Sequence, residues 1–288
     1  MATNAIVYSY NADINKVSFS EAKRNKQGGV GISIKYDNQN FQLRLPRMAF
    51  PGGLLQREDE KSGNVSYSLI GSLKGCDTYG KERSADTADM GPLYNFLLDF
   101  QDKIVKTASE NSPKWFGKKR SEESIRDSFK NILSVSVDKV GDEYVPNGKY
   151  PPSFRLKVPV YDGRVTMDAV NSKTQPYHLT VDSLRSVFPK YVEANLIVTG
   201  SVYIIGQSFG VTWRITFAQI FPPSRLTAAS VFLSDEHEVE DTTTTDAPDE
   251  VTVPVQTPVT EHPFVQDAVA AVQASARKRR VAVTAATQ

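Results

Sequence analysis

The chain has 288 residues, with 34 Lys+Arg against 33 Asp+Glu, and a single cysteine, Cys76. One cysteine excludes an internal disulfide and any cysteine-built metal site. At 40% hydrophobic and 10% aromatic the chain can bury a core, yet no window reaches the roughly 18 uninterrupted apolar residues of a membrane span.

In chain order, the opening stretch MATNAIVYSYNAD lacks a basic and then apolar leader, so a secretory signal is not expected and a reducing, intracellular setting is. Period-two alternation then predicts half-buried strands. Their apolar faces are Val30, Ile32, Ile34 and Tyr36; Phe41, Leu43 and Leu45; and Val65, Tyr67 and Leu69. A helix is predicted over 92–108, opened by Pro92, with Leu93, Phe96, Leu97, Phe100 and Ile104 at helical spacing. A second helix starts after a Ser121 cap, with Glu122 and Glu123 in its first turn and Ile125, Phe129 and Ile132 as its buried stripe. Strand faces resume with Leu133, Val135 and Val137, then Phe154, Leu156, Val158 and Val160. A short helix is expected between Thr180 and Pro189. Segments 195–205 and 211–221 read as a hairpin around Gly206 and Gly210, with Val211, Trp213, Ile215 and Phe217 on one face. On that phase Trp213 belongs to the core.

Composition changes at Ser234. Residues 234–288 hold 10 acids and 4 bases, while residues 1–233 hold 23 acids and 30 bases, a net charge of +7. The tail carries eight carboxylates between 235 and 250 and few large apolar side chains, so disorder is expected. Residues 264–280 read as a short Ala-rich helix ending in Arg277, Lys278, Arg279 and Arg280. The organisation is therefore a β-rich body, 1–233, and a disordered acidic tail with a basic end, 234–288. A basic body on an acidic tail points to an anionic partner for the body.

Two features of the body fit such a partner. If the apolar alternates face inward, the outward positions are Gly31, Ser33 and Lys35; Gln42 and Arg44; Arg155 and Lys157; and Thr212, Arg214 and Thr216. They hold five cations and no carboxylate, which suits a phosphate backbone and equally describes a solvated basic face. The second feature is the segment 114–120, where Trp115 and Phe116 stand among Lys114, Lys118, Lys119 and Arg120. Such rings either stack on bases, with the cations holding phosphates, or anchor the loop to the core. In the tail, the acidic run either occupies the basic groove, docks on a basic partner or serves solubility. The run 277–280 matches a nuclear-import or nucleic-acid contact pattern.

Catalysis has little to stand on. Of the three histidines, His178, His237 and His262, two lie in the tail, and no phosphate loop, nucleophile elbow or zinc spacing occurs. The glycines at 28, 29 and 31 read as a turn. Asp77, Asp86 and Asp89 fit no metal-binding loop. No catalytic residue, metal or cofactor is expected, and the chain reads as non-enzymatic.

The order of parts carries a resemblance: a basic β-rich body, a helical insertion containing KWFGKKRSEESIRDSFKNIL, the hairpin LIVTGSVYIIGQSFGVTWRITFAQIFP, and an acidic tail. It resembles the single-stranded DNA-binding proteins of large nucleocytoplasmic DNA viruses, notably the algal-virus type, which look related to short phage replication proteins with an OB-fold. The resemblance covers residues 1–233. It implies an OB-like barrel with a helical insertion, aromatic stacking on bases, and a tail that contacts replication proteins. It also implies action in viral DNA replication, recombination or repair, in a host nucleus or cytoplasmic viral replication site. Phage relatives end in an acidic stretch with a terminal aromatic. Here the acids are internal, Phe264 follows them, and the chain closes on RKRR and VAVTAATQ, which suggests a separate task for 264–280.

The expected partner is single-stranded DNA, with room for a homo-oligomer and no membrane. Lys35, Arg44, Arg155, Lys157 and Arg214 are expected on phosphates, Lys114, Lys118, Lys119 and Arg120 extending the track, and Trp115 and Phe116 on bases. The alternative is a viral structural or scaffold β-sandwich, because alternation alone does not separate barrel from sandwich.

Overall fold

The computed structural model describes residues 4–24, 29–60, 63–85 and 87–223. The expected acidic tail, the helix over 264–280 and the basic run 277–280 lie outside the described residues, as do Gly28 and Asp86.

The chain opens with β1 (Asn4–Tyr8), β2 (Val17–Phe19), β3 (Lys23–Arg24), β4 (Val30–Tyr36) and β5 (Gln39–Arg44), then β6 (Met48–Phe50), β7 (Leu55–Glu58) and β8 (Val65–Ser72). Three helices follow: α1 (Gly91–Glu110), α2 (Ser112–Phe116) and α3 (Glu122–Ser128). Next come β9 (Phe129–Lys130), β10 (Leu133–Ser134), β11 (Val137–Val140), β12 (Glu143–Pro146) and β13 (Ser153–Val158). The chain continues through β14 (Val160–Tyr161), β15 (Arg164–Val165), β16 (Asp168–Asn171) and α4 (Leu184–Val187), and ends in the long hairpin β17 (Val192–Ile205) and β18 (Ser208–Phe221). The described residues form a mainly β domain of OB-like type, with α1 to α3 inserted between β8 and β9.

Fourteen described strands join one sheet, whose main path runs β1-β5-β4-β17-β18-β13-β8-β7. β17 is its spine, pairing in turn with β6, β5 and β4 along one edge and with β18 along the other. The turn between β4 and β5 places Asp37 and Asn38 at φ +46° and +65°. That left-handed pair matches the twist of the two strands it joins.

The core lies between the inner face of this sheet and α1. Leu93, Phe96, Leu97, Phe100 and Ile104 are all buried, as their spacing predicts. Trp213 sits at the centre, 2% exposed, with ring centroids 5.6 Å from Phe100, 5.8 Å from Phe154 and 6.3 Å from Phe41. Opposite it on β17 stands Gly200, where a Cβ would come within 2.7 Å of Ile34 Cδ1 and 3.1 Å of the Trp213 ring. Only a residue without a side chain leaves room there for the indole.

Several expected elements shift. The second helix is capped by Ser121, whose hydroxyl accepts from the Ser124 amide at 3.3 Å, but it stops at Ser128. Phe129 and Ile132 are buried as expected, though from a strand and a loop. Val137 leaves its predicted face for the exposed ribbon β11–β12. The helix between Thr180 and Pro189 shortens to the four residues of α4. The long hairpin turns in two residues, Gly206 and Gln207, with Ile205 opposite Ser208.

The largest revision is within β18. Ile197 faces Phe217 but Val198 faces Ile215, so Thr216 is an extra residue, a β-bulge whose Oγ1 donates to the Ile197 carbonyl at 3.1 Å. The bulge reverses the phase. Trp213 and Ile215 point inward as expected, while Phe217 turns to the outer face and Ala218 and Ile220 take the core.

Candidate nucleic-acid interface

The outer face of the sheet is set by register. One line of register partners crosses seven strands: Ile6, Gln42, Thr199, Arg214, Lys157, Ser68 and Leu55. Register partners share a face, so these seven side chains stand side by side on the surface away from α1. Two cations, Arg214 and Lys157, are direct neighbours at the centre of the line. Like charges placed opposite each other on adjacent strands are destabilising. Neither takes part in an ion pair among the described residues. The Nε of Arg214 is buried and has no hydrogen-bond partner, an arrangement that costs stability unless a ligand acceptor reaches it.

Arg155 and Lys157 line a cleft of about 420 Å³ together with Lys130, Thr212 and Tyr203. The cleft opens where β18 passes from its pairing with β9 at Phe209 and Gly210 to its pairing with β13 at Arg214. Tyr203 lies over Gly210, where a Cβ would meet its hydroxyl at 2.8 Å, and burial pushes the phenol pKa up.

At the β1 end a second cleft, about 450 Å³, is lined by Ile6, Tyr8, Arg44, Ile197 and Phe217. The Arg44 guanidinium lies 4.6 Å from the Tyr8 ring centroid and donates to its hydroxyl at 2.5 Å. Tyr8 is 38% exposed and Tyr10 63%, their ring centroids 5.2 Å apart. Open rings beside an arginine offer stacking surfaces for bases and a donor for phosphate. Two carboxylates also stand at this end: Glu193, paired with Arg47 at 2.7 Å, and Asp168, the register partner of Phe217.

The expected site residues divide accordingly. Arg44, Arg155, Lys157 and Arg214 come together on the outer face. Lys35 flanks them at the end of β4, beside Asn40. The segment 114–120 does not join them. Its first part is α2, and Trp115 is only 6% exposed, its ring edge-on to Phe19 at 5.8 Å. Expecting Trp115 to stack on a base is therefore corrected: the indole anchors the insertion to the core. Phe116 is half-buried, packs against Phe209 at 5.4 Å and carries the Arg120 guanidinium 4.6 Å above its ring. Arg120 also donates to the Gln207 carbonyl at 3.3 Å and ties the insertion to the hairpin turn. Lys114 lines a separate cleft beside β2 and α1, and Lys118 and Lys119 are exposed between α2 and α3.

Tyr8, Tyr10, Lys130, Tyr203 and Phe217 were not legible as site residues. Lys130 was hidden by extending the second helix to 132, and Phe217 by the bulge. Tyr203 alternates with the buried Val202 and Ile204, a signal that a full outward reading of 195–205 would have given.

Among the described residues, no group of three His, Cys, Asp or Glu side chains is placed to hold a metal. Asp77 instead accepts from the backbone amides of Tyr79, Lys81 and Glu82, and these bonds hold its carboxyl below the usual range. No described helix is long and apolar enough to cross a membrane.

No family model matches the sequence, and no curated protein matches it significantly. Among solved structures, the single-stranded DNA-binding protein from bacteriophage Enc34 in complex with ssDNA aligns with a TM-score of 0.37 at 9% identity, over 71% of this chain and 92% of that one. gp2.5, a single-stranded DNA-binding protein encoded by bacteriophage T7, aligns with a TM-score of 0.33 at 10% identity, over 70% of this chain and 100% of that one. The structural neighbours of this chain are thus phage single-stranded DNA-binding proteins, at low identity.

Proposed function

We propose that the chain is a non-enzymatic binder of single-stranded DNA, and that the outer face of the sheet is its binding surface. The observation that carries this reading is the Arg214–Lys157 pair. Two adjacent cations at the centre of a sheet face, with no carboxylate between them and with one guanidinium nitrogen buried and unpartnered, suit a polyanion. Arg44, Arg155 and Lys130 extend the charge to either side, with Lys35 at its flank.

A single strand fits better than a duplex because Tyr8, Tyr10 and Phe217 offer ring faces, and only unpaired bases can meet them. Non-specific stacking makes binding tolerant of sequence. The resemblance in the order of parts supports a role in viral DNA replication, recombination or repair, inside the infected cell, with the acidic tail contacting replication proteins.

The test is competition. Labelled oligo-dT bound to the full chain is displaced by unlabelled single strands at far lower concentration than by duplex of the same length. Equal displacement by duplex would overturn the single-strand reading. RNA of the same sequence, run in parallel, reports the DNA preference.

A further inference from the structure

We propose a base-binding subsite at the β7 end of the outer face, where the charged track stops and an apolar pocket begins. The inference rests on the reading of the outer face as a single-stranded DNA surface and assigns that surface one of its ends.

Register continues the track to this pocket without a break. Arg155 pairs with Ile70 and Ser153 with Ser72, so the strand that carries the cation is flanked directly by the pocket wall. The pocket, about 430 Å³, is lined by Leu55, Ile70, Tyr150 and Pro151 and contains no charged side chain. Tyr150 is 69% exposed, while its backbone is fixed by donation from its amide to the Ser136 hydroxyl at 3.2 Å. An open ring on a held backbone, beside two aliphatic side chains, suits the flat face of a base and does not suit a phosphate. The occupant is therefore a nucleobase of the strand whose phosphates lie on Arg155 and Lys157.

The geometry also fixes how far this subsite lies from the aromatic cleft at β1. The line from Ile6 to Leu55 crosses six strand-to-strand steps. At about 4.8 Å each, that is roughly 29 Å along the sheet. Four nucleotides have only three backbone steps between the first base and the last, too few to span that path even in an extended strand. A four-nucleotide oligomer cannot fill both ends.

The experiment measures the affinity of the full chain for oligo-dT of four and twelve nucleotides, with Tyr150→Ala, Tyr150→Phe and Ile70→Ser variants. Tyr150→Ala is expected to weaken the twelve-mer about tenfold, to leave the four-mer within about twofold, and to be rescued by Tyr150→Phe. Ile70→Ser is expected to follow Tyr150→Ala. If the wild-type chain fails to bind the twelve-mer, the single-stranded DNA reading itself falls. If it binds and both truncations match wild type on the twelve-mer, the subsite alone is overturned. Equal weakening on both lengths also overturns it, because the residues would then act through the fold.

Discussion

Arg214 and Lys157 are register partners on neighbouring parallel strands, both on the outer face and neither neutralised by a carboxylate among the described residues. A sheet built only for stability would separate them or place an acid between them. Their juxtaposition is the local conflict expected where function overrides packing. The same logic applies to the buried, unpartnered Nε of Arg214.

The two aromatic sets should separate cleanly by substitution. Trp115→Ala removes a buried ring and should lower stability by about 3 kcal/mol, read by denaturant unfolding. Tyr8→Ala with Phe217→Ala should instead weaken oligo-dT binding about tenfold with a smaller change in unfolding midpoint. Retained binding in a folded Tyr8/Phe217 variant would remove the β1 cleft from the surface.

Gly200→Ala is a sharper probe of the core than most larger changes. Its new methyl would meet Ile34 and the Trp213 ring, both packed. A loss of about 1–3 kcal/mol is expected from overpacking, visible as a lower midpoint in urea. An unchanged midpoint would mean that the indole has room to move.

Much of this was legible before the structure. The helical spacing of α1, the Ser121 cap, the hairpin and the burial of Trp213 each follow from a local pattern that no distant contact overrides. The cations at 44, 155, 157 and 214 were found because strand alternation fixes facing, and facing is a local property. What escaped depends on neighbours. The bulge at Thr216 reverses Phe217 through a pairing mismatch with β17, which the β18 sequence alone does not contain. Trp115 and Phe116 stand among lysines in sequence, yet their partners Phe19 and Phe209 come from distant strands.

The loop lysines offer a further contrast. Lys118→Ala with Lys119→Ala should leave the salt dependence of oligo-dT binding nearly unchanged, because these cations lie on the insertion rather than on the outer face. A flattened slope in the double variant would place DNA on the insertion as well.

Asp77 gives a pH signature. Hydrogen bonds from the backbone of Glu82, Lys81 and Tyr79 hold its carboxyl below the ordinary value. A depressed folded-state pKa contributes stability that is fully present above the unfolded value of about 3.9 and is lost as pH falls through the folded one. Wild type should therefore lose more thermal stability between pH 6 and pH 3, about three units apart, than Asp77→Asn does. Equal losses would show that the Asp77 turn does not contribute to acid sensitivity.

The most direct measurement of the central claim is the salt dependence of oligo-dT binding, by fluorescence anisotropy, for wild type and for Arg214→Ala with Lys157→Ala. Each phosphate contact on a single strand contributes about −0.7 to the slope of log affinity against log salt. The double variant should bind more weakly and show a slope flatter by about 1.4. A wild-type affinity that ignores salt, or a folded double variant with the wild-type slope, would contradict the assignment of the outer face as the DNA-binding surface.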